Sequence, residues 1–438
     1  MSEFSQSTDF TLDNLEIDGK PVDGSMFFGF EIYEHAFMSG ITGSVTLVET
    51  ATNQFLDENS IEGNETFKIE FTTPLEERLV FDGYVNKISN RTVTANGVTT
   101  YVVEFVSSVI RENEQKRMTK RYKNQEPEIV VKDAIQRLNK DAEVPVTSDN
   151  LLGEGRPMNF LASRWTPIKV IQYVQKHGVP LKRGGQTSDD DKKREITASG
   201  TGGFLFFETR KGLRFGTSVQ FLAGELSDTE TKELRQSLAN QSRAVEDTRE
   251  QIMSYETVRN NDTQTQQRSG AFKSQLINLN LDSGVYKEQE WDSGMATEKQ
   301  KKTSRTPTRI FLSTNSNERF NQECESVPKN SIDQKLLSMQ QEAGTINNIT
   351  DGMCRLTVPT RTDICVGDKV NLTIYQASEK SDSERDQKFS GNWIVSGIAH
   401  HFLRETNSGY TRLTCLRSTD QVDEPSSQNV ETISLQPK

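Results

Sequence analysis

Apolar residues recur at every second position in several stretches of this chain, which is the period of a half-buried strand. The fullest case is Phe389–Arg417. It reads as two strands joined by a loop that ends in Asn407-Ser408-Gly409. The first strand carries Trp393, Ile394, Val395 and Ile398. The second carries Tyr410, Leu413 and Cys415, with Arg412 and Thr414 on the alternate face. Phe81–Ser107 has the same layout, with a Phe-x-Gly opening its first strand and a Gly followed by Thr and Tyr opening its second.

The likeness continues upstream of both hairpins. Ser60–Phe71 has a glycine corner at Gly63 and then Phe67, Ile69 and Phe71 alternating with polar residues. Asp363–Tyr375 has a corner at Gly367 and then Val370, Leu372 and Ile374 in alternation. Each corner glycine precedes a hairpin glycine, Gly83 and Gly391, by 20 and 24 residues. This predicts an internal duplication of one antiparallel β-module. Gly83 and Gly391 are expected at close turns, and Trp393 and Tyr410 as anchors of the second module.

Outside these repeated segments the pattern changes. Phe10–Thr50 is strand-like, with Phe27, Phe28, Phe30 and Ile32 in one apolar run. Arg111–Lys123 is rich in Lys and Arg, with Glu112 and Glu114 mixed in, and reads as a solvated linker. Pro127 opens a helix with Ile129, Val130, Ala134, Ile135 and Leu138. A second helix has Thr166 as N-cap, Pro167 at its first position and Gly178 after its end. Gly203–Thr217 is a hairpin with a turn at Arg210-Lys211-Gly212, and its Phe204–Phe207 run should be covered on both sides.

Beyond the hairpin, Ser227–Ile252 has the spacing of a polar helix with one seam, Leu234, Leu238, Val245 and Ile252. Thr257–Ser269 reads as a polar loop and Gly270–Trp291 as strands. Ser293–Thr308 is a lysine-rich polar stretch, and Asn330–Gly344 a short helix. The organisation expected is therefore β-rich α+β with two tandem antiparallel β-barrels. Residues 1–110 form the first, and 201–225 with 345–420 the second. An α/β domain occupies 111–200, an inserted α/β region 226–344, and a polar tail 421–438.

Composition narrows the function. Apolar residues make up only 33% of the chain, so its cores are modest and contact with other chains is a natural way to cover surface. A net charge of −11 disfavours a large nucleic-acid face. No apolar run reaches the roughly 18 residues of a membrane span, and the polar, acidic Met1–Asp9 argues against a secretory signal. Cys324, Cys354, Cys365 and Cys415 form no C-x-x-C pair; Cys365 and Cys415 read as buried free thiols.

Candidate chemistry is thin. His177 suits the C-terminal dipole of its helix. His400 and His401 are strand neighbours and point to opposite faces, which disfavours one shared metal. Asp189–Asp191 lack a calcium-loop pattern, and Ser199–Gly203 lacks the Gly-Lys-Ser/Thr of a phosphate loop. No catalytic, cofactor-binding or metal-ligating residue is assigned, and no enzyme activity is expected.

The order of these features resembles the baseplate hub proteins of contractile-tailed bacteriophages, a family related in fold to the base of the type VI secretion spike. The resemblance is carried by Met38–Thr50 leading through Ile61–Glu65 to the strand Phe67–Phe71, and by Arg117–Tyr122 leading into the helix at Pro127. Thr166-Pro167, the hairpin Gly203–Phe215, Val366–Val370 and Ser390–Arg417, with its strand Ile398–Phe402, complete it. It implies tail-tube-like barrels and a homotrimeric, pseudo-sixfold ring that joins the hexameric tail tube to the trimeric central spike. The implied partners are the chain itself, the tube or its initiator protein and the spike, with a tape measure protein and baseplate wedge beyond them. DNA would be only passing cargo. The implied place is the tail baseplate of a virion assembled in host cytoplasm. Sheet edges at Val102–Val106 and Leu413–Arg417 are candidates for pairing between subunits. The rival readings are a tail-associated peptidoglycan hydrolase and a peripheral receptor-binding protein.

Overall fold

The computed structural model describes residues 6–417 apart from 75–76, 95–96, 181–202, 228, 237–247, 260–262, 271, 281–285, 293–305, 316–351, 376–385 and 387–388. The acidic triplet Asp189–Asp191, residues 199–202 of the glycine-rich turn, most of Ser293–Thr308, the helix expected at Asn330–Gly344, Cys324 and the tail 421–438 lie outside the described residues.

The first module is antiparallel throughout. Its strands are β1 (Thr11–Ile17), β2 (Lys20–Pro21), β3 (Phe27–His35) and β4 (Thr42–Glu49), followed after helix α1 (Phe55–Glu58) by β5 (Thr66–Thr73), β6 (Glu77–Val93) and β7 (Thr99–Val106). Inward residues alternate with outward ones along β4 and β5, as the sequence period requires. The inward set is unusually aromatic. Phe67 stacks on Phe105 at 4.4 Å, and Phe10, Phe27 and Phe30 surround Phe71.

A compact α/β unit follows: α2 (Ser108–Gln115), β8 (Met118–Gln125), α3 (Pro127–Asn139), β9 (Ser148–Leu151), β10 (Met158–Trp165) and α4 (Pro167–His177). Both expected helices are present, and the Thr166 hydroxyl accepts from the Lys169 N–H at 3.3 Å. The expected linker at Arg111–Lys123 is instead the end of α2 and most of β8. Met118 and Tyr122 are buried, and Glu112 binds both Arg111 and Lys116 at 2.7 Å. Only two apolar residues mark this ordered segment, so its charges masked it.

The hairpin β11 (Phe204–Thr209) and β12 (Gly212–Thr217) pairs in the expected register and leads into α5 (Ser218–Ala223). Phe204–Phe207 are all buried. Phe204 and Phe206 face the α/β core, while Leu205 and Phe207 face the core of the second module.

Next come β13 (Lys232–Gln236), β14 (Gln251–Ile252), β15 (Ser254–Arg259) and α6 (Thr263–Ser269). The three-stranded sheet of β16 (Lys273–Asn280), β17 (Tyr286–Asp292) and β18 (Arg309–Asn315) follows. The polar helix expected at Ser227–Ile252 is overturned where it is described. Leu234 lies in a strand, opposite Leu372, because a neighbouring strand offers a ladder that the local spacing cannot reveal. Likewise the polar loop expected at Thr257–Ser269 contains the end of β15 and the helix α6.

The second module closes the chain with β19 (Met353–Pro359), β20 (Lys369–Thr373), β21 (Gly391–Leu403) and β22 (Ser408–Arg417). Its strand order β20-β21-β22-β19 matches β5-β6-β7-β4 of the first module, all antiparallel. The match extends to details. In the first module the Asn64 N–H donates to Val85 O at 2.9 Å and the Val85 N–H donates to Glu65 O at 2.8 Å. In the second, Gly367 donates to Val395 O at 2.8 Å and Val395 donates to Asp368 O at 3.0 Å. Asn64 and Gly367 both hold positive φ, 79° and 93°, a conformation that asparagine and glycine tolerate best. A bulge follows Val85 and Val395 alike.

This geometry corrects the register of the repeat. Gly83 stands two residues before its bulge valine, so its counterpart is Trp393; the counterpart of Gly391 is Phe81. Neither glycine is at a turn. Gly83 lies within β6, where an added Cβ would sit 2.4 Å from the Val106 carbonyl, and Gly391 begins β21 with φ 114°.

The two modules are not separate barrels. Among the described residues they merge into one 14-stranded sheet, beside three small sheets, and none closes on itself. The junction is β21. Residues Gly391–Ile394 pair with β20, Gly397–Leu403 pair with β3, and the other edge pairs with β22. The edges expected to be free at Val102–Val106 and Leu413–Arg417 are both filled, since β7 lies between β4 and β6 and β22 between β19 and β21.

Gly83→Val should lower the unfolding free energy by about 3 kcal/mol, the scale of forced overpacking, because the obstacle is backbone. Gly24→Ala, whose Cβ meets nothing within 4 Å, should change it by under about 1 kcal/mol. Urea unfolding of the two variants checks this.

Candidate functional site

The most chemically loaded region is a buried layer of charge where the α/β unit meets both modules. Four arginines and their acids are held there by short loops and strand ends rather than by one element. On the hairpin turn, Arg210 pairs through Nε with Glu34 of β3, and its Nη2 donates to the carbonyls of Thr362 and Ile364 at 3.3 and 2.9 Å. Arg214 of β12 is 1% exposed. It reaches Asp149 at 2.8 Å, the Val366 carbonyl at 2.8 Å and Asp368 at 3.5 Å. Asp368 also accepts from the Cys365 N–H and the Ser227 hydroxyl.

Arg361 grips Asp363 through two parallel bonds of 2.8 and 2.9 Å, the bidentate fork that suits a carboxylate. Burial alone would raise the Asp363 carboxyl, but Arg361, Arg249 and Lys232 together hold it well below the usual carboxylate range. Glu208, next to this layer on β11, has the opposite fate. Burial pushes it up to about 8, with a contribution from Glu34, against hydrogen bonds from Ser107 and the Ile41 N–H. At neutral pH it is therefore mostly protonated.

His400 and His401 do take opposite faces of β21. His400 is fully buried, 2.9 Å from the Thr411 hydroxyl, and burial depresses it well below the ordinary histidine value, which leaves it neutral. His401 stacks on Tyr410 at 4.7 Å and sits 3.1 Å from Glu31. Tyr410 is thus half-buried on the Arg412 face and not with Leu413 in the core. Trp393 is in the core, its indole N–H donating to Phe389 O at 3.1 Å. Cys365 and Cys415 are buried free thiols; burial raises Cys365 to about 12.

The four residues singled out from sequence are not brought together. The charged layer escaped sequence reading because its members are scattered over more than three hundred positions. Its only local signal was the Arg361-Thr362-Asp363 triplet. Among the described residues no group of three His, Cys, Asp or Glu could hold a metal ion, and no helix is long and apolar enough to cross a membrane. Chemically, the layer can lock three cores in one relative pose.

Glu208→Gln should change the pH dependence of stability. The folded value lies above the unfolded carboxylate value near 4.3. The group's contribution is therefore full below about pH 4.3 and declines as pH rises toward 8. The variant should gain on the parent across that window by on the order of 5 kcal/mol. Equal slopes for the two proteins in denaturant titrations from pH 5 to 8 would contradict this account.

No protein-family model matches the chain, and no curated protein matches it in sequence. Solved structures do. The 43 kDa tail protein of prophage MuSo2 from Shewanella oneidensis is 10% identical, with a TM-score of 0.52 over 93% of this chain and 98% of its own. The tail protein from Neisseria meningitidis MC58 is 9% identical, with a TM-score of 0.52 over 94% and 97%. Over nearly its whole length this chain has the fold of these tail proteins, as the sequence resemblance implied.

Proposed function

We propose that this chain is the structural baseplate hub of a contractile phage tail. Three copies form a pseudo-sixfold ring that joins the hexameric tail tube to the trimeric central spike. One observation carries the reading. The chain holds the same β-module twice, with matched strand order, corner and bulge, so that three chains present six like units.

The buried charge layer supports the same reading. A ring that transmits load needs its modules fixed to each other, and the arginine bonds between cores serve that end. The work proposed is mechanical, with tube above, spike below and sister subunits at the sides. Its location is the tail baseplate of the virion. The acidic balance suits a passage that does not hold DNA tightly.

The purified chain should run as a trimer by native mass measurement at micromolar concentration and should retain a co-expressed spike protein through affinity purification. A chain that stays monomeric both alone and with the spike would refute the ring.

A further inference from the structure

The core of the second module holds two cysteines that face each other. On the ladder between β19 and β22, Cys354 stands directly opposite Cys415. Both are free thiols, both are fully buried, and both lie in the core that also holds Leu356, Leu413 and Trp393. A hydrogen bond between the two thiols, and then burial, hold Cys415 well above the ordinary thiol value. A single buried thiol is a small hydrophobe. Two in register can also react with each other.

Backbone geometry permits the bond. The Arg417 N–H donates to Gly352 O at 3.1 Å, and hydrogen-bonded pairs alternate with open ones along an antiparallel ladder. Two residues along, Cys354 and Cys415 therefore form a hydrogen-bonded pair, the class whose Cα atoms lie about 5.5 Å apart. A disulfide spans about 4.4–6.8 Å between Cα atoms. The link thus asks for side-chain rotation rather than backbone movement. Entry lies on the β15 side. Strand β15 is exposed along most of its length, and among the described residues it pairs with β19 and no other strand. Local opening of such an edge admits a small molecule.

We infer that Cys354 and Cys415 are a reversible oxidation site, closing to a cross-strand disulfide that ties β22 to β19. The oxidant is a low-molecular-weight disulfide of the glutathione class. One cysteine, as its thiolate, attacks a sulfur of that disulfide, and one glutathione thiol leaves. The second cysteine attacks the protein sulfur of the mixed disulfide, and the second glutathione leaves. Two protein thiols give up two electrons and two protons, and one glutathione disulfide takes them up as two thiols. In reducing surroundings the pair stays open, and in oxidising ones it is linked. The link joins residues 61 positions apart, a long loop whose closure restricts the unfolded chain.

The test incubates the full chain with oxidised glutathione, alkylates the remaining thiols and digests with trypsin without reduction. Mass spectrometry should find peptide 336–355 joined to peptide 413–417 in most of the chain, and dithiothreitol should separate them. Oxidation should raise the urea midpoint of the parent by on the order of 1 M and leave those of Cys354→Ala and Cys415→Ala unmoved. Full alkylation of both cysteines after incubation, without urea and again at a urea concentration below the midpoint, would overturn the proposal. So would glutathione adducts that never resolve into the link, or an unchanged or lowered midpoint once it has formed. If an alanine variant fails to fold, judged by circular dichroism, Cys365→Ala takes its place as the control and should keep both the link and the shift; loss of the link there would overturn the pairing.

Discussion

Strand β21 serves two cores with thirteen residues. Trp393, Ile394, Val395 and Ile398 pack in the second module, while Phe402 packs in the first, stacked on Phe71 at 4.3 Å and nearly parallel. Its backbone does the same, with one edge divided between β20 and β3. The bulge after Val395 sits at the changeover. A bulge adds local twist, which lets one strand leave one sheet plane and enter another. The pose of the two modules therefore depends on the hydrogen-bonded register of a single strand.

The buried charges secure that pose. Ions in a protein interior gain little net stability, because desolvation offsets their attraction, but removing one partner is costly. Their geometric demands are strict. Arg214 satisfies Asp149, Asp368 and the Val366 carbonyl only when the α/β unit and the second module keep one relative position. Arg210 imposes the same condition on the first module through Glu34. The hydrophobic cores supply adhesion, and the guanidinium groups supply alignment.

The two modules differ as instructively as they agree. At the position equivalent to the closely packed Gly83, the second module carries Trp393, which fills its core. Asn64 and Gly367 meet the same positive-φ requirement with different residues. A shared backbone skeleton with separate packing solutions is what a duplicated unit acquires when its copies face different neighbours.

Much of the fold was legible in the chain. The hairpins at Phe81–Ser107 and Phe389–Arg417, the helices after Pro127 and Thr166 and the Phe204–Thr217 hairpin are local features. Alternation, proline and capping residues determine them before any long-range contact forms. The repeat itself was visible, although its register was not, because register is set by backbone hydrogen bonds and not by glycine spacing. Three things belonged to the tertiary structure alone. Leu234 became a strand because β20 lay beside it. The modules merged into one sheet because β21 was long enough to pair with both. The charged layer formed because residues remote in sequence met where water was excluded, and no local pattern encodes that meeting.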